Sequence, residues 1–339
     1  MKALVQSGAE PARSPFPDPA TILVAVPALD EAAHIAACLR SLVEGSPEMR
    51  RVRIVVADGG SRDATRAVVA SLRAGMPNLM LIDNPHRLQS AAVNRVVAAC
   101  ATPEHGILVR CDAHATYPRG YVLRAAASLA SRNAAAVAAA MDATGSSGFA
   151  RAAAWIVDTP LGSGGAAHRG GRASGWVDHG HHAAMNLDWF RAVAGYDPSF
   201  SHNEDAELDH RLARAGGRIW LDADLRLAYA MRPTLAALAR QYWCYGRGRA
   251  RTLRKHRTRP RLRQAGPAAL AASLALALGL APLAPGLLAL PAAYAGLLAA
   301  VSAAGVARLR APAGLWAGPA LGAMHLAWGA GFLRQCLAH

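Results

Sequence analysis

The chain has 339 residues, of which 53% are hydrophobic, and its 37 Lys and Arg residues exceed its 22 Asp and Glu residues, so the formal net charge is +15. This length accommodates one sizeable globular domain and an additional segment. The chain has no recognisable zinc finger, basic zipper or RNA-binding aromatic motif, so its basic character does not indicate a nucleic-acid-binding protein. Its five scattered cysteines lack metal-ligand spacing and favour a reducing compartment.

The first two-thirds of the chain predict a tail followed by an α/β domain. Residues 1–20 lack the apolar core and cleavage site of a secretory signal, and they predict a flexible tail. Beyond them, short apolar runs alternate with helical patterns. Four of these runs predict buried strands, at 22–27, 52–58, 79–83 and 106–112. Such alternation is typical of a parallel sheet with helices on both faces.

Acidic residues follow several of these strands. Asp30, Asp58 and Asp112 come at or just after the ends of predicted strands, where open α/β sheets bind their ligands. Each could instead be a helix cap or a turn residue, but three at equivalent positions favour a site. Asp112 and His114, two apart at a strand end, could reach one Mn²⁺ or Mg²⁺ ion. The alternative is a strand-end Asp beside a surface His.

A second acidic cluster lies in the stretch SHNEDAELDHRL at 201–212. Acidic residues suit the first turn of a helix, and Glu207 and Arg211 have the i,i+4 spacing of an exposed ion pair. Asp205 and Asp209 share that spacing with like charges, which is unfavourable. The local pattern therefore leaves two possibilities, a solvated helix face and a functional site.

The C-terminal part of the chain predicts a membrane region at 265–339. No charged residue occurs between Gln264 and Ala307, and apolar runs near 267–284, 286–305 and 311–333 predict two or three transmembrane helices. A buried helical hairpin of a soluble protein is the alternative. The basic aromatic segment 236–264 is typical of the cytoplasmic flank of a membrane span. These features predict a multi-pass inner-membrane protein with a cytoplasmic catalytic domain.

Five motifs in order resemble those of the family 2 glycosyltransferases with a GT-A fold. They are VPALDE (26–31), VADGGSRDAT (56–65), LVRCDAHATYP (108–118), VDHGHHAAMNLDWFRAVAGYD (177–197) and SHNEDAEL (201–208). The resemblance covers about residues 21–250. It implies a GT-A catalytic domain at 21–235, built on a Rossmann-like mixed sheet, followed by the transmembrane helices.

The resemblance also implies roles for individual residues. Asp205 matches the catalytic base of the family's Glu-Asp pair, and Glu204 is its neighbour. Asp112 matches the first aspartate of the metal-binding motif, whereas His114 stands where the family usually has Asp. The residues expected to bind the nucleotide sugar are Pro27, Asp30, Glu31, Asp58, Asn94, Arg110 and Asp112.

Several other residues are candidates for contacts with the acceptor or a diphosphate. His179, His181 and His182 are too differently oriented on a strand to converge on one metal ion, and a structural role is their alternative. Gln241 and Arg247 begin a basic aromatic stretch that could hold a lipid diphosphate or simply anchor the chain. The Gly-rich stretch 161–175 predicts a mobile loop near the site.

Together these features predict an inverting, metal-dependent glycosyltransferase that adds a single sugar. Within the family, the resemblance to membrane-associated glucosyltransferases of exopolysaccharide biosynthesis implies UDP-glucose as donor, a β-1,3 linkage and a polyprenyl-diphosphate-linked sugar as acceptor. Two other classes stay open. A sugar nucleotidyltransferase would need a Gly-rich basic loop after the first strand, and a non-catalytic membrane scaffold would leave the aligned carboxylates unexplained.

Overall fold

The structure is a computed structural model that describes residues 16–338, so most of the predicted tail lies outside the described residues. In this part of the chain eight strands form one mixed sheet. The strands are β1 (Ile22–Ala28), β2 (Arg53–Asp58), β3 (Leu79–Asp83), β4 (Ile107–Arg110), β5 (Ala136–Thr144), β6 (Gly175–Val177), β7 (His181–Asn186) and β8 (Ile219–Ala230). Their order in the sheet is β3-β2-β1-β4-β7-β5-β8-β6.

Twelve α-helices occur within residues 16–338, most of them between consecutive strands or after the last one. They are α1 (Ile35–Val43), α2 (Thr65–Leu72), α3 (Gln89–Cys100), α4 (Tyr121–Arg132), α5 (Gly148–Val157), α6 (Pro160–Ser163), α7 (Leu187–Ala192), α8 (Glu204–Arg214), α9 (Leu235–His256), α10 (Leu262–Leu280), α11 (Ala289–Leu309) and α12 (Ala317–Leu337).

The sheet has a buried core on each face. Strands β1 to β4 are mutually parallel, and β7 runs antiparallel to both β4 and β5. In β1, Ile22 and Val24 face the cluster that contains α1 and α4, whereas Leu23 faces the cluster that contains α3 and α8. This alternation buries both sides of the strand and explains its uninterrupted apolar sequence. The predicted α/β class with a mixed sheet is confirmed.

The fourth strand is shorter than the sequence predicted, and this changes the argument for a metal pair. β4 ends at Arg110, so Asp112 and His114 lie in the turn that follows it. The alternation of side chains along a strand therefore does not apply to these two residues. Their relative orientation is set by the turn and by neighbouring loops.

The C-terminal helices pack against the catalytic domain through glycines. A Cβ atom added at Gly246 in α9 would lie 2.0 Å from the Trp328 carbonyl oxygen in α12, and one added at Gly331 would lie 2.3 Å from the Trp243 carbonyl oxygen. The two helices are therefore closer than any larger residue would allow. Leu321 and Met324 of α12 are buried in a cluster shared with α5. The helix α12 is thus partly a core helix of the whole chain.

One helical segment of the described chain, Pro285–Leu309, is long and apolar enough to cross a membrane by length and composition. The predicted set of two or three such helices is not confirmed. Burial of one side of α12 explains part of the difference, because glycine and small residues at its contacts reduce its apolar content. Helix α10 nevertheless exposes Leu276, Leu278 and Leu280. The domain limits at 235 and 264 stay predictions.

Candidate active site

The helix that carries the acidic pair begins at a fixed point against α9. Asn203, with a left-handed φ of 61°, precedes the first residue of α8 and donates a hydrogen bond from its side chain to the Tyr245 carbonyl oxygen at 2.6 Å. A Cβ atom at Gly248 would lie 2.7 Å from the His202 carbonyl oxygen. The close approach of α9 therefore holds the start of α8 in place.

A buried guanidinium joins three carboxylates of the site. Arg110 at the end of β4 donates to Asp205, and it lies 3.8 Å from Glu204 and 3.6 Å from Asp112. Burial favours the neutral form of Asp205, but Arg110 and His182 outweigh it and hold the pKa of this carboxyl well below its ordinary value. Asp205 is therefore ionised at neutral pH, as a proton acceptor must be.

Glu204 has the opposite electrostatic environment. Its side chain is buried, and burial, followed by the charge of Asp205, raises its pKa to about 7. Arg110 acts in the other direction but is closer to Asp205. The two neighbouring carboxyls thus differ in charge near neutral pH, because one guanidinium cannot compensate both equally.

A buried network lies behind Asp205. His182 is fully buried, and its ring lies 3.4 Å from the Asp205 carboxylate. It also forms hydrogen bonds with the Tyr196 hydroxyl at 2.8 Å and with the Asp209 carboxylate at 2.6 Å. Asp209 also bonds His179 at 2.6 Å. Burial opposes a charged imidazole, yet Tyr196, Asp209 and Asp205 raise the pKa of His182 well above its ordinary value. The network places positive charge beside the base.

The acidic cluster is therefore not a solvated helix face. Glu207 is fully buried and pairs with Arg211, Lys255 and His256. Asp209 is also buried, in the histidine network. Because all four acidic residues at 204–209 have basic partners, the spacing that appeared repulsive in sequence is compensated by residues from β4, β7 and α9.

The two residues predicted to bind metal line both cavities of the site, and each also contacts another side chain. His114 bonds Glu31 at 2.9 Å and is largely exposed. Asp112 instead accepts a hydrogen bond from Gln89 at 2.7 Å, and His181 lies 3.6 Å from its carboxylate. No group of three His, Cys, Asp or Glu residues that could hold a metal ion is found among residues 16–338. The site therefore offers the Asp112 carboxylate together with His181 and His114, which line the larger cleft with it.

A cavity of about 170 Å³ lies at the carboxyl ends of the first strands. Of the predicted nucleotide-sugar residues, it is lined by Pro27, Glu31 and Asp112. Asn84 also lines it, and the Oδ1 atom of this buried side chain has no hydrogen-bond partner. An unpaired buried acceptor at this place suits a ligand that donates a hydrogen bond.

Two of the predicted carboxylates shape this region from outside the cavity lining. Asp58 accepts hydrogen bonds from Gly60, Ser61 and Arg66. Although burial acts in the opposite direction, these bonds lower the pKa of Asp58. Asp30 accepts from the Arg62 amide at 2.7 Å. Both carboxylates hold the loop after β2, which is the turn-forming role that the sequence left open.

The structure gives Asn94 and Arg247 positions apart from the cavities. Asn94 donates to the Tyr196 carbonyl oxygen at 2.7 Å and accepts from the Tyr196 amide at 2.9 Å. Arg247 is exposed and lies 3.3 Å from the Gln335 side chain. Neither residue lines either cavity. Asn94 instead positions Tyr196, whose hydroxyl contacts His182 and Arg110.

A larger cleft of about 520 Å³ is lined by residues of the candidate site and of the C-terminal helices. Its walls include Asp112, Glu204 and Asp205, and also Pro267 of α10 and Trp328 of α12. Further predicted residues on its walls are Arg110, His114, His179, His181 and Gln241. The cleft therefore connects the candidate base with the apolar helices.

The Gly-rich stretch forms part of the cleft wall, as predicted, and its mobility stays a prediction. Residues 161–164 and His168 line the cleft, and His325 of α12 donates to the Leu161 carbonyl oxygen at 3.0 Å. The sequence did not indicate this contact, because the two residues are far apart in the chain. Gln89 and Arg169 were also missed, since neither belongs to a recognisable motif.

Comparisons with known proteins agree with this geometry. The model of Glycosyl transferase family 2 matches residues 23–193. The chain is 42% identical over 337 residues to the succinoglycan biosynthesis protein ExoA of Rhizobium meliloti (strain 1021), covering 93% of this chain and 94% of that protein. It is similar in fold to the mannosyltransferase PcManGT from Pyrobaculum calidifontis, solved in complex with GDP-Man and Mn²⁺.

That similarity has a TM-score of 0.57 at 20% identity, and it covers 96% of this chain and 91% of the mannosyltransferase. A likeness at this identity concerns the fold. The family match and the relative of nearly equal length concern the enzyme class. The chain therefore belongs to glycosyltransferase family 2 and is a glycosyltransferase with a GT-A fold.

Proposed function

We propose that this enzyme transfers a hexose from a nucleotide sugar to a lipid-linked sugar at a membrane, with inversion at the anomeric carbon. The observation that carries the proposal is that one cleft is lined both by Asp205 and by residues of α10 and α12. A lipid-linked acceptor needs both a base at its sugar and an apolar surface near its carrier. Membership of the glycosyltransferase family argues against the two alternatives, a non-catalytic scaffold and a sugar nucleotidyltransferase.

Asp205 serves as the general base in this proposal. Its ionised carboxylate takes the proton from the acceptor hydroxyl as that oxygen attacks the anomeric carbon and the nucleoside diphosphate leaves. Arg110 holds the carboxylate in one orientation, and the positively charged His182 lies behind it. A single displacement inverts the configuration, so an α-linked donor gives a β-glycoside.

The cavity lined by Pro27, Glu31 and Asn84 is the proposed site of the nucleotide. Asp112 lines both cavities, so a donor that fills the smaller one presents its diphosphate near this carboxylate. The relative of nearly equal length is a succinoglycan biosynthesis protein, which supports a role in exopolysaccharide biosynthesis. On the family resemblance we propose UDP-glucose as donor and a β-1,3 linkage.

A divalent cation, Mn²⁺ or Mg²⁺, fits the donor side of the site. The Asp112 carboxylate is 20% exposed, and His181 and His114 line the same cleft and could join it. Such ions commonly take one or two protein ligands and complete their shell with phosphate oxygens and water. The solved mannosyltransferase contains Mn²⁺. A bound cation would neutralise charge on the leaving nucleoside diphosphate.

The helices α10 and α11 are the proposed membrane attachment. They expose a series of leucines, and α9 ends in a run of basic residues that suits anionic headgroups. This arrangement supports a catalytic domain on the cytoplasmic face of the inner membrane. The polyprenyl diphosphate of the acceptor would then enter the cleft from the bilayer side.

Release of nucleoside diphosphate from a panel of UDP- and GDP-sugars tests the proposal. With Mn²⁺ or Mg²⁺ and membranes that supply lipid acceptors, we expect turnover of one UDP-hexose. Asp205→Asn should reduce it by about 10²–10⁴-fold, because the proton acceptor is lost. Asp188→Asn is the matched control, since this carboxylate is exposed on α7.

The same assay also tests the requirement for a divalent cation. Chelation with EDTA should abolish release, and added Mn²⁺ or Mg²⁺ should restore it. Full turnover by Asp205→Asn would show that another group is the base. Absence of release from every donor by the folded wild-type protein would overturn the proposed reaction.

A further inference from the structure

Four arginines besides Arg110 line the larger cleft. They are Arg169, Arg232, Arg249 and Arg263. Arg110 is balanced by three carboxylates, whereas none of these four forms an ion pair within residues 16–338. None of them lines the smaller cavity at the nucleotide end. The cleft therefore contains positive charge that the protein itself does not compensate.

Arg169 is the most constrained member of this set. Its guanidinium carbon lies 4.3 Å from the centre of the Tyr229 ring, and its Nη1 atom is buried without a hydrogen-bond partner. Leaving a buried donor unpaired is unfavourable, and more so when the donor is charged. A ligand that accepts a hydrogen bond from this Nη1 atom would satisfy the donor, and its binding would be favoured for that reason.

Arg249 adds a second positive charge from α9 that forms no ion pair within residues 16–338. Burial lowers its pKa to about 10, the Asp209 carboxylate acts against this shift, and the neighbouring Arg263 and Arg261 add to it. Arg232 and Arg263 line the same cleft and are exposed. Arg169 and Arg249 are more buried than Arg232 and Arg263. The four charges can therefore attract an anion from solvent or from a membrane surface into the cleft.

Polar and apolar walls meet at this place. The Gln241 side chain donates to the hydroxyls of Tyr229 and Tyr245 at 2.7 and 2.9 Å, so these hydroxyls face one another beside Arg169. Pro267 and Trp328 form part of the wall toward α10 and α12. A ligand that fits this cleft therefore has an anionic group near Arg169 and an apolar group that contacts the wall formed by α10 and α12.

We propose that Arg169 and Arg249 bind the diphosphate of the lipid-linked acceptor, with its polyprenyl chain directed toward α10 and α12. This inference rests on the proposed function for its acceptor and adds the binding site for the carrier. The other diphosphate in the reaction belongs to the donor. Its expected position is beside Asp112, where the two cavities meet. The acceptor diphosphate and the donor diphosphate would thus be bound by different residues.

Binding of polyprenyl diphosphate in detergent micelles tests this site without turnover. We expect the wild-type protein to bind polyprenyl diphosphate at least about tenfold more tightly than neutral polyprenol, the size expected for one charge-assisted hydrogen bond. The double variant Arg169→Gln/Arg249→Gln should lose this preference. The single variant Arg169→Lys, with Arg249 unchanged, should keep part of this preference, because lysine retains the positive charge but lacks the planar guanidinium that binds two oxygens.

Arg240→Gln is the matched control, since Arg240 is exposed on the same helix and lies outside the cleft lining. The affinity of the double variant for UDP in the presence of Mn²⁺ should change by less than about threefold, which is under 1 kcal/mol. A tenfold loss of UDP affinity would assign the arginines to the donor and overturn the proposal. Equal binding of polyprenyl diphosphate and polyprenol by the wild type would also overturn it.

This result is separable from the proposed reaction. Asp205→Asn should still bind polyprenyl diphosphate, because the base lies outside the arginine pair. A protein that binds the carrier but releases no nucleoside diphosphate would contradict the proposed reaction alone. A protein that turns over the donor but shows no preference for the diphosphate would contradict the arginine site alone.

Discussion

At the scale of single residues, Arg110 decides how the carboxylates of the site divide their charge. It contacts Asp205 directly and Glu204 only at 3.8 Å, so the two neighbouring acids have pKa values on opposite sides of their ordinary ones. Pairs of titratable groups with separated pKa values are common where acid and base roles differ. The charged Asp205 suits proton acceptance, whereas Glu204 keeps its proton up to near neutral pH.

Replacing Glu204 by Gln should change how stability depends on pH. The pKa of Glu204 is raised from 4.5 to about 7 in the folded protein, so the folded state holds a proton that the unfolded state releases. The contribution of this group to stability is therefore present below about pH 4.5 and falls as pH rises to about 7. Gln cannot ionise, so the variant should gain about 3 kcal/mol relative to wild type at pH 8 and less than about 1 kcal/mol at pH 5.

Thermal unfolding at both pH values measures this difference. Glu44→Gln is a suitable control because this side chain is exposed after α1. An identical shift of the unfolding temperature for the Glu204 variant at pH 5 and pH 8 would show that Glu204 does not retain its proton on folding.

At the scale of helices, α9 connects the catalytic residues with the C-terminal region. One side of it holds the start of α8 through Asn203 and Gly248, and the other packs on α12 through Gly246. The same helix supplies Gln241 and Arg249 to the cleft. The position of the base and the shape of the acceptor cleft therefore depend on one helix, whose small residues allow close contact on two sides.

Gly246→Ala should destabilise the protein, because its Cβ atom would lie 2.0 Å from a backbone oxygen of α12. Overpacking of this kind costs about 1–3 kcal/mol. Gly279→Ala provides a matched control in α10, where an added Cβ atom meets no atom within 4 Å. Alanine is the better helix former by up to about 1 kcal/mol, so the control should be neutral or stabilised.

Thermal unfolding in detergent distinguishes the two glycine variants. A lower unfolding temperature is expected for Gly246→Ala alone. Equal unfolding temperatures would mean that α9 and α12 can separate at little cost, and that their contact does not hold the cleft together.

At the scale of the whole molecule, the apolar surface of α10 and α11 is placed beside the opening of a polar cleft. Leu283 in the connection between these helices is 85% exposed, and Leu276 and Leu278 are also exposed. Exposed apolar area of this kind indicates an interaction surface. Together with the basic end of α9, it supports attachment by insertion as well as by charge.

Flotation with vesicles of bacterial lipids should show how the molecule is attached. Wild type should stay bound in 1 M salt, because salt screens the basic residues but does not weaken burial of leucines. The triple variant Leu276→Glu/Leu278→Glu/Leu283→Glu should be released, since each leucine contributes about 1.5–3 kcal/mol when buried.

Met80→Glu is the control for the flotation experiment. Met80 is an exposed apolar residue on β3, at the edge of the sheet away from β5 and β8. Release of the wild-type protein by salt alone would indicate attachment through charge and would contradict insertion of the leucines.

The sequence by itself determined the fold class and the order of the motifs, and it predicted the acidic pair. Apolar runs of strand length alternate with amphipathic helices. Because this periodicity is local, each segment indicates which of its own residues are buried. The carboxyl ends of β1, β2 and β4 meet at one edge because parallel strands share a direction. The role of Asp205 as base is a prediction that rests on its motif and does not depend on knowledge of its surroundings.

Only the tertiary structure decided which side chains meet. His114 bonds Glu31, and β4 ends two residues before Asp112, so the strand alternation used to pair Asp112 with His114 does not apply to them. His182 reaches Asp205 from β7, and Arg169 and Arg249 line one cleft although 80 residues separate them in the chain. Such contacts depend on loop geometry and on the packing of helices through glycines. Sequence periodicity records which face of an element is buried, and it contains no information about which distant residue lies opposite.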